Sequence, residues 1–266
     1  MERTTFKTAL ARWVQTRSLH KRPKTIELYS LVEKFVLKHW ECPEIELDQI
    51  TPEHVLGFAH KISGFSETYW NNSVSVLRYI TPHGALLKRR PAKLREFTPP
   101  GQSQFAAFLA ECDRANSPAG MIVRFLCLTG CRISEAHALR WENVFEDRIE
   151  VPASVAKSGK RRSIPFVPGL REILARLRNL GHETVLPPVN TKKAIRNACV
   201  RAGVPKMSFH CFRHYYATRC IESGVDVPTV SRWLGHQDGG ALASKVYFHL
   251  LDEHSQRMAE RVKIAA

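Results

Sequence analysis

Residues suited to β-strands cluster in one short stretch, 148–166, while nearly every other segment carries apolar residues at helical spacing. Arg148–Val151, Ser154–Lys157 and Arg162–Phe166 read as short strands, with Ser158-Gly159-Lys160 as the turn of a hairpin. The expected fold class is therefore mainly α with a small antiparallel β-sheet.

Upstream, residues 25–40 place Ile26, Tyr29, Val32, Phe35 and Val36 on one helical face. Thr51-Pro52-Glu53 reads as a helix start, a capping hydroxyl followed by proline in the first turn, with Val55, Ala59 and Ile62 behind it. Ser66 opens a third helix, along which Tyr69, Asn72, Ser75 and Arg78 form a polar and aromatic stripe. That stripe either faces solvent or receives bases and sugars. Residues 88–100 (KRRPAKLREFTPP) are basic and broken by prolines, as in a linker. Lys88, Arg89, Arg90, Lys93 and Arg95 could there follow phosphates, or simply be solvated. The organisation expected is a helical domain over 1–90, a linker over 91–100 and a second domain over 101–266. In the second, helices are expected near 102–114, 118–128, 132–141, 168–180, 190–202, 209–223, 226–234 and 241–251. A chain of 266 residues has enough core for two domains.

Charge narrows the partners. Forty Lys plus Arg against 25 Asp plus Glu give a formal net charge of +15, which suits a polyanion. No long basic helix with a strong apolar face marks a membrane surface, and no run approaches the roughly 18–20 apolar residues of a membrane span. The seven cysteines include no CxxC pair. With no signal peptide, they read as reduced thiols of a cytoplasmic protein, and no zinc or other metal site is expected. Cys127 and Cys131, one helical turn apart in an apolar run, fit core packing.

Four segments carry residues able to handle a phosphodiester. In TGCRISEAHALRW (129–141), Arg132 follows a glycine turn at a helix start, where free N–H groups and a guanidinium can point the same way. Taken alone it is equally a surface arginine. In SFHCFRHYY (208–216), His210 and Arg213 share one helical face and can reach one phosphate; His214 points elsewhere and suits a structural role. A lone H-x-x-R also arises by chance. In VSRWLGHQ (230–237), Gly235 ends a helix and fixes His236 just beyond it, either to donate to an oxygen or to cap; Trp233 suits the core. In ALASKVYFHLL (241–251), Tyr247 sits in a helix. None of these is decisive singly.

Taken in order, TGCRISEAHAL, AKSGKRRSIPF, FHCFRH, WLGH and KVYFHL resemble the tyrosine recombinase (phage integrase and Xer-like) family, and residues 1–90 resemble its N-terminal core-binding helical domain. The resemblance implies the family's catalytic fold, a two-domain C-shaped clamp on DNA. It implies that Arg132 and Arg213 clamp the phosphate, Lys157 is the hairpin lysine, His210 and His236 hold the two histidine positions, Tyr247 is the nucleophile and Glu135 is the acidic partner of the first arginine. Lys88, Arg89, Arg90, Lys93, Arg78, Lys160 and Arg161 would contact DNA. Two features depart from the family pattern: Tyr247 lies eleven positions after His236, two more than expected, and Phe212 stands where a leucine usually precedes the second arginine. Gly239-Gly240 could absorb the extra length.

Under that resemblance the product would be a 3′-phosphotyrosyl bond and a free 5′-hydroxyl. Such an ester conserves the energy of the broken bond, so no cofactor is expected; the sequence has neither a P-loop nor a cluster of carboxylates for two metals. The expected partners are double-stranded DNA and further copies of the chain, a tetramer on two sites. With no room before residue 20 for a separate arm-binding domain, core sites alone would be recognised. Residues after Tyr247 could form a tail helix docking on a neighbouring protomer or on their own domain. Two other readings stay open: a type IB topoisomerase-like nicking and resealing enzyme, and an inert DNA-binding protein.

Overall fold

In the computed structural model, residues 4–91, 100–114 and 117–236 are described. They contain eleven α-helices and one two-stranded antiparallel sheet. The chain divides into two compact units, Met1–Glu96 and Phe97–Ala266.

The first unit is helical: α1 (Phe6–Ser18), α2 (Pro23–His39), α3 (Pro52–Lys61) and α4 (Glu67–Ile80). Helix α1 was not anticipated from the sequence. It buries Phe6, Leu10 and Trp13, spaced four and three apart, and Phe6 stacks on Trp40 at 4.0 Å. Helix α3 starts at the expected Thr51, whose N–H donates to His54 Nδ1 at 3.1 Å. In α2, Val32 and Val36 reach the core while Ile26 stays exposed.

The second unit is built around α6 (Pro118–Thr129), which packs against α5 (Gln102–Arg114). Further along come α7 (Ile133–Ala138), β1 (Arg148–Val151), β2 (Arg162–Pro165), α8 (Leu170–Arg178), α9 (Lys192–Arg201), α10 (Phe209–Glu222) and α11 (Val227–Leu234). Helices α8 and α10 also cover α6, an apolar helix with eight buried residues. It ends at Gly130, whose φ is +61°; a Cβ there would lie 2.6 Å from both Tyr216 and Leu234, so both conformation and space require glycine.

Strands β1 and β2 pair with Ile149 opposite Ile164 and Val151 opposite Arg162. Ser154–Lys157 is not a strand. Pro152 has no N–H to extend the ladder, and its carbonyl instead accepts from Val155 N (3.1 Å) and Ala156 N (2.9 Å), winding the chain into turns closed at Gly159. Lys157 therefore sits in a loop. The helix expected over 132–141 is likewise shorter, because Leu139 turns extended and its carbonyl accepts from Val185 N. The helix expected over 241–251 lies outside the described residues.

The seven cysteines are all free thiols, six of them buried, Cys127 and Cys131 among them. Among the described residues no helix is long and apolar enough to cross a membrane.

Candidate active site

Glu135 is the hub of the second unit's polar interior. Its side chain is 1% exposed, yet its carboxylate accepts four hydrogen bonds. Oε1 takes one from Arg132 Nη1 (3.1 Å) and one from the backbone N–H of Lys157 (3.2 Å). Oε2 takes one from Arg132 N (3.2 Å) and one from Arg162 Nη2 (2.6 Å). Burial pushes the carboxyl pKa up, but the Arg162 hydrogen bond and charge, the Lys157 N–H and the Arg132 charge together outweigh it and hold the group at about 2. It is ionised throughout the physiological range.

Arg213, at the start of the second turn of α10, is 4% exposed. Nη1 donates to the carbonyl of Gly130 at 2.8 Å and Nη2 to that of Leu234 at 2.6 Å. One planar fork thus ties α10 to the turn preceding Arg132 and to the end of α11 preceding His236. Burial pulls the guanidinium pKa down, and the charges of Arg132 and Arg162 pull the same way. Three guanidiniums around one carboxylate leave this interior with excess positive charge, the condition in which an anion is welcome.

His210, exposed one turn before Arg213, has its pKa lowered by desolvation against the protein and then by the charges of Arg213, Arg132 and Lys157. The imidazole thus lies within electrostatic reach of cations from three separate segments. His214 meets His210 edge-on with ring centroids 4.8 Å apart. Burial, then His210, Arg213 and His236, lower its pKa to about 4. His236 follows a Schellman cap: Gly235 (φ +69°) donates to Arg232 O, His236 N donates to Ser231 O, and Nδ1 of His236 lies 3.2 Å from Ser231 Oγ.

Lys160, Arg161 and His236 share an open cleft of about 510 Å³ with Arg162, Arg232 and Trp233. Arg161 is largely exposed, with Glu150 3.8 Å away. Tyr247 and Lys93 lie outside the described residues. In the first unit, the residues expected to follow phosphates are strapped to α4. Trp70 Nε1 donates to Lys88 O (2.9 Å), the Asn71 side chain brackets the Arg90 backbone through two 2.9 Å bonds, and the Arg90 guanidinium lies 3.9 Å over the Trp70 ring. Arg89 Nη2 reaches Ser75 Oγ, and Arg78 Nη2 donates to Leu87 O at 2.8 Å. Arg78 thus holds its own unit together. Tyr69 packs on Phe35 at 4.6 Å while remaining half-exposed.

Sequence reasoning missed Arg162. It sits in the basic run Lys160-Arg161-Arg162, whose first two residues the resemblance assigns to DNA contact, but it shares the inward face of β2 with Ile164. Strand alternation was the signal available.

The second unit is thus helical with one small sheet, and its buried, net-cationic centre is drawn from several segments. Residues 101–254 match the phage integrase family model, and the chain belongs to that family of tyrosine recombinases. It is 33% identical over 146 residues to the tyrosine recombinase XerD of Corynebacterium glutamicum, covering 48% of this chain and 47% of that protein. It is 31% identical over 132 residues to the integrase of Haemophilus phage HP1, covering 48% and 37%. Tyrosine recombinase XerA of Pyrococcus furiosus is 27% identical over 158 residues, covering 54% of each. The chain aligns with about half the length of such relatives or less. Its fold resembles that of lambda integrase in a tetramer bound to a Holliday junction, with a TM-score of 0.78, 16% identity and coverage of 92% and 78%. It also resembles the Tn1549 transposon integrase in complex with transposon right end DNA, with a TM-score of 0.72, 15% identity and coverage of 96% and 100%.

Proposed function

We propose that the chain is a site-specific recombinase that cuts and rejoins double-stranded DNA through a 3′-phosphotyrosyl bond on Tyr247. The observation that carries this reading is the Arg213 fork. It draws the segments of Arg132, His210 and His236 to one place, while Glu135 holds Arg132 and the loop of Lys157 beside them.

Attack on a phosphodiester gathers charge on its two non-bridging oxygens. Arg132 and Arg213 would take those oxygens, being permanently charged and able to donate in a plane. A tyrosine hydroxyl has an ordinary pKa of about 10, so a cationic site favours its ionised form. Lys157 would protonate the departing 5′-hydroxyl, and His210 and His236 would hold the phosphate or share the proton transfers. Because the phosphotyrosyl ester keeps the energy of the broken bond, resealing needs no nucleotide triphosphate and no metal. Lys160, Arg161 and the α4 strap would contact backbone phosphates, with four copies assembling on two duplexes.

The test is to incubate the full chain with a pool of randomised duplexes, each carrying a nick, and to denature in detergent. A covalent adduct is expected, lost on Tyr247→Phe, and the attached DNA reports the site. An adduct that survives Tyr247→Phe refutes the assignment.

A further inference from the structure

Arg162 has no part in the chemistry above, yet it occupies the point where three segments meet. It stands on the core-facing side of β2, opposite Val151, in a position that an apolar residue would fill. Instead Nη2 pairs with the buried Glu135 at 2.6 Å and Nε donates to the carbonyl of Trp233, in the last turn of α11, at 2.9 Å. The third nitrogen, Nη1, is buried with no hydrogen-bond partner among the described residues. A buried ion pair that leaves a donor unsatisfied is a poor way to stabilise a fold, since an apolar side chain of similar volume is often better. The neighbouring backbone is fitted to this side chain: a Cβ on Gly235 would lie 2.8 Å from Arg162 Cδ and 3.3 Å from Nη1.

Lys157 lies five residues before Arg162, in the loop that leads into β2. Its backbone N–H bonds to Glu135 Oε1, on the same carboxylate whose Oε2 is held by Arg162. Glu135 is thus clamped between the strand that ends the loop and the loop itself, while Nε of Arg162 ties the same strand to the helix end that carries His236. We propose that Arg162 is a positioning residue, which sets the loop of Lys157 against Glu135 and the α11 cap so that the ammonium meets the departing oxygen. This rests on the reading of Lys157 as the acid.

The experiment compares two duplexes of one sequence, recovered from the randomised pool by the wild-type full chain. One carries the ordinary 5′-oxygen at the scissile bond and the other a bridging sulfur, whose thiolate departs without a proton. Lys157→Ala sets the benchmark: it should slow adduct formation by about 100-fold or more on oxygen and be restored to near wild type on sulfur. Arg162→Lys keeps the charge but loses the fork. It should fall by about 10- to 100-fold on oxygen and recover on sulfur, with KM for the duplex changed less than kcat. Calorimetry checks that the variant folds. If it does not, Gly235→Ala, which presses on Arg162 while keeping its charge, should show the same recovery on sulfur. Equal losses on oxygen and sulfur for Arg162→Lys, with Lys157→Ala still rescued, would overturn the positioning role and leave the acid assignment standing. Failure of sulfur to rescue Lys157→Ala would overturn the acid assignment itself, and the role of Arg162 with it.

Discussion

Replacing Glu135 by Gln keeps the side chain's shape and removes its charge. The carboxylate serves four donors, two on each oxygen. The amide oxygen of glutamine can still accept from two of them, but its NH₂ turns a donor toward the other two. Arg132, Arg162 and Arg213 also lose their buried counter-charge. Breaking a buried pair by removing one partner costs about 3–5 kcal/mol. For a unit of this size each kcal/mol moves the melting midpoint by about 2–4 °C, so calorimetry at pH 7 should show a fall of roughly 6–20 °C. Linkage supplies a second reading. The folded pKa of Glu135, about 2, lies below its ordinary 4.5, so its contribution is full above pH 4.5 and is lost as pH falls through 2. That contribution comes to about 3 kcal/mol at pH 7 and about 1 kcal/mol at pH 3. The gap between wild type and Glu135→Gln should therefore narrow by about 2 kcal/mol between those pH values. A midpoint within about 2 °C of wild type at pH 7, or a gap as wide at pH 3 as at pH 7, would refute the carboxylate as hub.

Gly130→Ala places a Cβ 2.6 Å from Tyr216 and Leu234 at a positive φ; a loss of about 2–4 kcal/mol is expected in urea unfolding. Arg213→Lys can reach only one of the two carbonyls that Arg213 now holds, so adduct formation should fall by about 100-fold or more while the chain stays folded; activity near wild type would show that the fork is dispensable. His214 stays neutral down to about 4 when folded but takes up a proton near 6.5 when unfolded. Stability should thus fall as pH drops from 6.5 toward 4, and His214→Phe should flatten that part of the melting profile. Duplex affinity should fall linearly with salt on logarithmic axes, and a flat response would exclude phosphate contacts.

Much of this was legible because local chemistry and tertiary placement agree. Gly130 and Gly235 punctuate helices whose ends then carry Arg132 and His236, and the helix of His210 and Arg213 begins where the motif does. Tertiary demands overrode local signals elsewhere. Residues 154–157 have strand composition, but the turn set by Pro152 diverts them. Helix α1 escaped notice because Lys7, Arg12 and Arg17 interleave its few core residues. Arg162 was hidden because a run of three cations masks the strand alternation that turns it inward with Ile164. For Arg213 the sequence indicated a phosphate ligand, and nothing in the motif announced that its terminal nitrogens also hold two helix ends.

What Glu135 grips at position 157 is the main-chain amide, a group common to every residue but proline. The grip is blind to the side chain. Under the proposed role of Lys157, folding and chemistry therefore place their demands on different atoms of one amino acid, and drift at this codon would silence or retune the reaction while leaving the scaffold intact.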